Sequence, residues 1–160
     1  MFEKMIPLVA VVLALSAADA RETKLIAHGW DCQSAHPTDV LASADEFDKT
    51  VLDGISLSVR FTNEEHGVVC SYKTMMTDPA WKWSDVEYLV PTLREIVKHR
   101  SLRESLLSSF RCPKPRLDWR DDAAWANLAN NMRILARLAR EGNVKGIMID
   151  PEDYPRTRQF

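Results

Sequence analysis

The chain is short of the features that charge-driven or metal-driven binding needs. Lys and Arg number 21 against 23 Asp and Glu, a formal net charge of -2. Such a balance argues against a nucleic-acid partner, because phosphate neutralisation calls for a basic surplus. There is no block of like charge of the kind that holds a protein to an anionic membrane surface. The 3 cysteines, Cys32, Cys70 and Cys112, match neither a CxxC nor a zinc-ligand spacing, so no metal is expected. A Gly-rich phosphate loop, a GxSxG elbow and an HExxH pair are all missing, which leaves nucleotide, serine-hydrolase and zincin chemistry without markers and implies no cofactor. The hydrophobic fraction of 46% with 28% charge is nonetheless that of a globular chain.

The longest apolar run, Met5 to Leu15, is eleven residues, well short of the roughly 20 that a spanning helix needs. It is followed by Ser16-Ala17-Ala18-Asp19-Ala20, whose Ala18-x-Ala20 ending is a pattern that signal peptidase accepts. Residues 1–20 therefore read as a signal peptide cleaved after Ala20. The expected location is secreted or periplasmic, with no stable membrane span, and residues 21–160 form one domain. Export permits a disulfide, but an odd cysteine count leaves at least one thiol free. Cys32–Cys70 is the expected pair if any bond forms.

Strand-like and helix-like segments alternate from Arg21 onward. Lys24 to Trp30 is a first apolar strand, and Pro37 opens a helical segment to about Lys49. Leu52 to Phe61 reads as a second strand, and Thr62 to Trp83 as a long loop without periodicity. Ser84-Asp85-Val86-Glu87 has capping-box spacing ahead of a helix that Pro91 should kink or restart. Ser105 to Phe110 is a third strand, and Asp121 or Asp122 caps the most regular helix, which Gly142 ends. Val144 to Ile149 is the fourth strand. Gly54 and Gly146 stand at equivalent places and are expected to relieve crowding where helix turns into strand. The order is α/β, a parallel βαβαβαβ arrangement with crossover helices. Either a small open sheet or the first half of a (β/α)8 barrel satisfies it, since a closed eight-stranded barrel needs about 250 residues.

Ligands of parallel sheets bind beyond the carboxyl ends of the strands. His28, Trp30 and Asp31 follow strand one, Arg60 ends strand two, and Arg111 follows strand three. Asp150, Glu152 and Tyr154 follow strand four. The pair Asp150-Pro151-Glu152 could supply the proton donor and second carboxylate of glycosidic cleavage, or it could be a plain acidic turn. Glu152 has the longer reach and is the better placed acid, with Asp150 orienting it. Trp81 and Trp83, in the long loop, read as exposed aromatics suited to ligand contact.

The segments Lys24-Leu-Ile-x-x-Gly-Trp-Asp31, Leu117-Asp-Trp-x-Asp-Asp-x-x-Trp125, Ala136-x-x-Ala-Arg-Glu-Gly142 and Lys145-Gly-Ile-x-x-Asp-Pro-Glu-x-Tyr154 together resemble a bacterial group. It is the group of secreted, largely uncharacterised glycoside-hydrolase-like (β/α)8-barrel proteins. The resemblance runs from about residue 24 to 154 and covers the amino-terminal half of that fold. It implies a carbohydrate-active hydrolase with Asp150 and Glu152 as the catalytic carboxylates. Residues His28, Trp30, Asp31, Arg60, Arg111 and Tyr154 would then surround a carbohydrate ligand. A non-catalytic remnant, or a carbohydrate-binding α/β module, is the alternative. Strands one and four of a half barrel would lack neighbours, and open edges apolar on both faces would favour self-association.

Overall fold

The computed structural model describes residues 23–28, 35–109, 118 and 120–149. Strand β1 (Ile26–Ala27) leads to two short helices, α1 (Pro37–Ala42) and α2 (Ala44–Phe47). Next come β2 (Gly54–Leu57) and an antiparallel hairpin of β3 (Arg60–Asn63) and β4 (Val68–Ser71). Two 3-10 turns precede α3 (Val90–Ile96), with Pro91 in its first turn, where a missing N–H costs nothing. Strand β5 (Leu106–Ser108), the 20-residue helix α4 (Asp122–Glu141) and β6 (Gly146–Met148) complete the order. Pro91 thus starts a helix and does not kink one.

Strands β1, β2, β5 and β6 form one parallel sheet in chain order, the arrangement expected of an α/β chain. The long loop does not exist as such. The expected second strand splits at Ser58–Val59, and its tail, Arg60–Asn63, pairs back on Val68–Ser71. Glu64 to Gly67 make the connecting turn, where Gly67 takes a φ of 64°, a conformation that costs glycine little.

Sheet register sorts the side chains by face. Leu57, Leu107 and Ile147 are in register, and with Ile55 they join Leu93, Ile96, Leu135 and Leu138 in one apolar cluster. The helices of all three crossovers, four in number, bury residues in that cluster, so they cover the same face. The other face is built differently. Ser56 lies in register with Leu106 and Gly146, and Ser108 with Met148. The two central strands are therefore not apolar on both faces: away from the helices lie the buried Ser56, Ser58 and Ser108, whereas the end strands β1 and β6 present Ile26, Gly146 and Met148 on that side.

Helix α4 starts on Asp121, whose carboxylate accepts from the Ala124 N–H at 3.0 Å. Its left-handed terminal residue is Asn143, with φ 58°, and not Gly142. Val144 N–H then closes onto Ala139 O at 2.9 Å, as helix-ending turns of this kind do. Gly142 serves packing, because a Cβ there would sit 2.7 Å from Leu93 Cβ.

The two equivalent glycines differ in the same respect. A Cβ on Gly54 would lie 2.4 Å from the Glu104 carbonyl carbon, whereas one on Gly146 would meet nothing closer than Leu106 Cδ2 at 3.8 Å. Crowding explains the first glycine only. Gly54→Ala is expected to lower stability by about 1–3 kcal/mol through backbone displacement. Gly146→Ala should be neutral, or stabilising by up to about 1 kcal/mol through the unfolded chain. Urea midpoints of the two variants against the parent check the contrast.

Candidate functional site

Two polar regions form where chain leaves the carboxyl ends of the strands. The first lies on the serine-rich face. His28, just past β1, places Nδ1 2.9 Å from Ser56 Oγ, and Ser56 Oγ–H points at Met148 Sδ, 3.6 Å away. The His28 ring, the Ser56 hydroxyl and the Met148 thioether are thereby linked across the serine-rich face. Close by in the register, the buried Ser108 and Ser109 hydroxyls have no hydrogen-bond partner.

The second region is a cleft of about 540 Å³, lined by His36, Thr38, Asp39, Arg60, Thr62 and Tyr88 among others. Strand β3 alternates outward and inward residues, so Arg60 and Thr62 line the cleft while Phe61 packs in the core. Their cross-strand partners are Ser71 and Val69. A recess of about 180 Å³ adjoins the cleft, shares His36, Asp39 and Arg60 with it, and adds Ser58, Ser71 and Lys73. His36 Nδ1 accepts from Thr38 N–H at 3.4 Å, so the neutral ring carries its proton on Nε2. Tyr88 is 53% exposed, yet partial desolvation pushes its phenol up from the ordinary value and keeps it a donor. On the far side of Tyr88 a second cleft, about 590 Å³, is lined by Glu64, Glu65 and Asp85, with Lys82 paired to Glu65.

What fixes the hairpin is a set of asparagines on α4. Asn131, fully buried, accepts from Trp81 N–H at 2.8 Å and donates to Met75 O and Pro79 O. Asn130 donates to Trp81 O, and Asn127 to Asp78 O. Asp78, also buried, accepts from Ser71 N–H and from Trp81 Nε1–H. Trp81 is 2% exposed and meets Phe61 edge-on at 5.1 Å. Trp81 is thus a core residue and not a ligand platform. Trp83 is half-buried beneath the Arg137 guanidinium, 3.9 Å from its ring centroid.

Of the residues singled out from sequence, His28 and Arg60 fall in these two regions. Trp30, Asp31, Arg111, Asp150, Glu152 and Tyr154 lie outside the described residues. The structure brings Arg60 to His36, Asp39 and Tyr88, none of which sequence reasoning marked as site residues. The signal that could have found them is positional: His36 precedes α1 as Arg60 opens β3, both just beyond carboxyl ends of parallel strands. Cys32, the expected partner of Cys70 if any bond formed, lies outside the described residues. Cys70 is a free, fully buried thiol on β4, facing Asp78. Comparison with known proteins returns no match: no family model, curated sequence or solved structure is similar to this chain. Among the described residues, no helix is long and apolar enough to cross a membrane.

Burial, with Asp78 beside it, pushes the Cys70 thiol up to about 12, and only the thiolate attacks electrophiles. In a Cys32→Ser/Cys112→Ser variant, Cys70 should resist iodoacetamide at pH 8 in the native state. It should alkylate at the rate of a free peptide thiol once urea unfolds the chain, with mass spectrometry as the readout.

Burial likewise holds Asp78 above the usual carboxylate value, against the pull of its hydrogen bonds. Because the folded state binds that proton more tightly than the unfolded chain, Asp78 favours folding at acid pH. This contribution is lost as pH rises from the unfolded value of 3.8 through the raised folded one. Asp78→Asn should remove this part of the pH dependence, so the stability difference between variant and parent should change with pH in that window. Urea unfolding measured from pH 4 to 7 tests it.

Proposed function

We propose that the chain is a carbohydrate-active protein of glycosidase-barrel type, with sugars bound where chain leaves the carboxyl ends of its parallel strands. The observation that carries the reading is the strand order. A parallel sheet running in chain order, with its crossover helices sharing one core, leaves its other face to an interior, as the first strands of a (β/α)8 barrel do. An open doubly wound sheet reverses its order and puts helices on both faces. His28 and the serines on that other face, and the Arg60 cleft beside it, suit a ligand rich in hydroxyl groups.

In this reading residues 1–20 direct export, and the catalytic carboxylates are Glu152 as acid and Asp150 as the group that orients it. Both follow β6 in the sequence. Trp30, Asp31, Arg111 and Tyr154 complete the sugar site. The end strands β1 and β6 supply the edges through which copies of the chain would associate.

The test is turnover of aryl glycosides by the full chain and by its Glu152→Gln variant. Loss of the general acid should reduce cleavage by about 100-fold or more, with circular dichroism and the unfolding midpoint unchanged. Full activity in the variant would overturn the catalytic assignment. Saccharide binding without turnover in the parent would make the chain a non-catalytic carbohydrate-binding module.

A further inference from the structure

The cleft beside Arg60 carries charge that the fold does not use. Arg60 is exposed on the first residue of β3, and among the described residues no acidic side chain pairs with it. Lys73, two residues beyond the Arg60 cross-strand partner Ser71, places its Nζ 5.6 Å from the Tyr72 ring centroid and has no carboxylate partner among the described residues. Both line the recess, together with His36, whose neutral ring presents Nε2–H as its donor. Asp39 is the one carboxylate there, so the two fixed cations outnumber it. Among the described residues, the exposed lysines outside the recess that form ion pairs are Lys49 with Glu46, Lys98 with Glu95, Lys82 with Glu65 and Lys145 with Glu104.

The surroundings refine the ligand. The exposed ring of Tyr88, with Thr62 and Val69 opposite, gives a flat apolar wall beside hydroxyl groups. Sugars use such walls, stacking C–H faces on an aromatic ring while their hydroxyls meet side-chain polar groups. On the other side of Tyr88 the cleft bears Glu64, Glu65 and Asp85 against Lys82 alone, so an anionic ligand is repelled there and drawn to the Arg60 side. The volume, about 540 Å³ with a recess of about 180 Å³, falls within the ~300–1,000 Å³ usual for ligand clefts.

We propose that this cleft binds an acidic oligosaccharide, its uronate carboxylate held by Arg60 and Lys73 in the recess and an adjoining ring laid against Tyr88. The assignment rests on the carbohydrate reading above and narrows it to carboxylated sugars. Asp39, facing the same recess, accepts from ligand hydroxyls. The guanidinium fork suits a planar carboxylate better than a point charge does, which makes Arg60 the principal contact.

Calorimetric titration of the full chain with trigalacturonate and with its methyl ester tests this. The acid should bind about 10-fold or more tightly than the ester, as a charge-assisted contact implies. Arg60→Gln should bring the two ligands to similar affinity, and Lys73→Gln should do so in part. Circular dichroism reports whether each variant keeps its fold. Acid and ester binding alike would overturn the acidic specificity while leaving the carbohydrate reading in place. A preference for the acid that survives both substitutions would overturn the assignment of this cleft. Failure of both saccharides to bind would overturn the proposal, and glycoside turnover in the same preparation would then show that the wider reading still stands.

Discussion

One buried amide holds the polar end of the molecule together. Asn131 sits in the middle of α4 with no exposed surface, and three of its side-chain hydrogen bonds go to backbone groups of the Met75–Trp81 segment. That segment has no strand or helix of its own, so its N–H and C=O groups would otherwise be buried without partners, at a cost of about 1–3 kcal/mol each. Asn127 and Asn130 extend the contact along the same helical face, since positions three and four apart lie side by side. Through this clamp Trp81 is brought edge-on to Phe61, and Phe61 fixes the inward face of the hairpin. The outward face, with Arg60 and Thr62, is thereby set as one wall of the cleft.

The parallel sheet provides the other constraint. Its helix-facing side is aliphatic and belongs to the main core, while its opposite side carries serines, glycines and Met148. Small side chains on that side let the backbones of neighbouring segments approach closely, and the Glu104 backbone against Gly54 is the extreme case. Polar groups are concentrated toward the carboxyl ends, where His28 joins Ser56. The aliphatic core and the polar groups thus occupy different faces and different ends of one sheet.

Much of this frame was legible in the residues. The period of α4, its Asp121 cap, and the apolar cores of β2, β5 and β6 are local signals, and each appears where pattern placed it within a few residues. The hairpin was not legible because β2 and β3 are separated only by Ser58 and Val59, so the two read as one strand. A turn of Glu64-Glu65-His66-Gly67 with a short alternating run on each side was the available clue. Ser56 and Ser58 alternate with Ile55, Leu57 and Val59, which marks a strand with one polar face. Trp81 misled for a different reason: a polar neighbourhood in sequence says nothing of an asparagine 50 residues away that buries its backbone. Arg60 was recognisable from its place after a strand, whereas Tyr88 belongs to the cleft only through tertiary packing.

The hairpin also bears on the order in which the molecule assembles. A four-residue turn joins β3 to β4, so that pair closes a short loop and can form on the microsecond scale. The parallel pairs span far longer stretches: Leu25 meets Asp53 across 28 residues and Ile55 meets Ser105 across 50. Such closures are entropically dearer and slower. A hairpin made early has little to pack its inner face on until α4 arrives, because the Asn131 contact to Trp81 spans another 50 residues. In this sequence of events the wall of the cleft is among the first secondary structures to form, and its final placement waits for the last long helix.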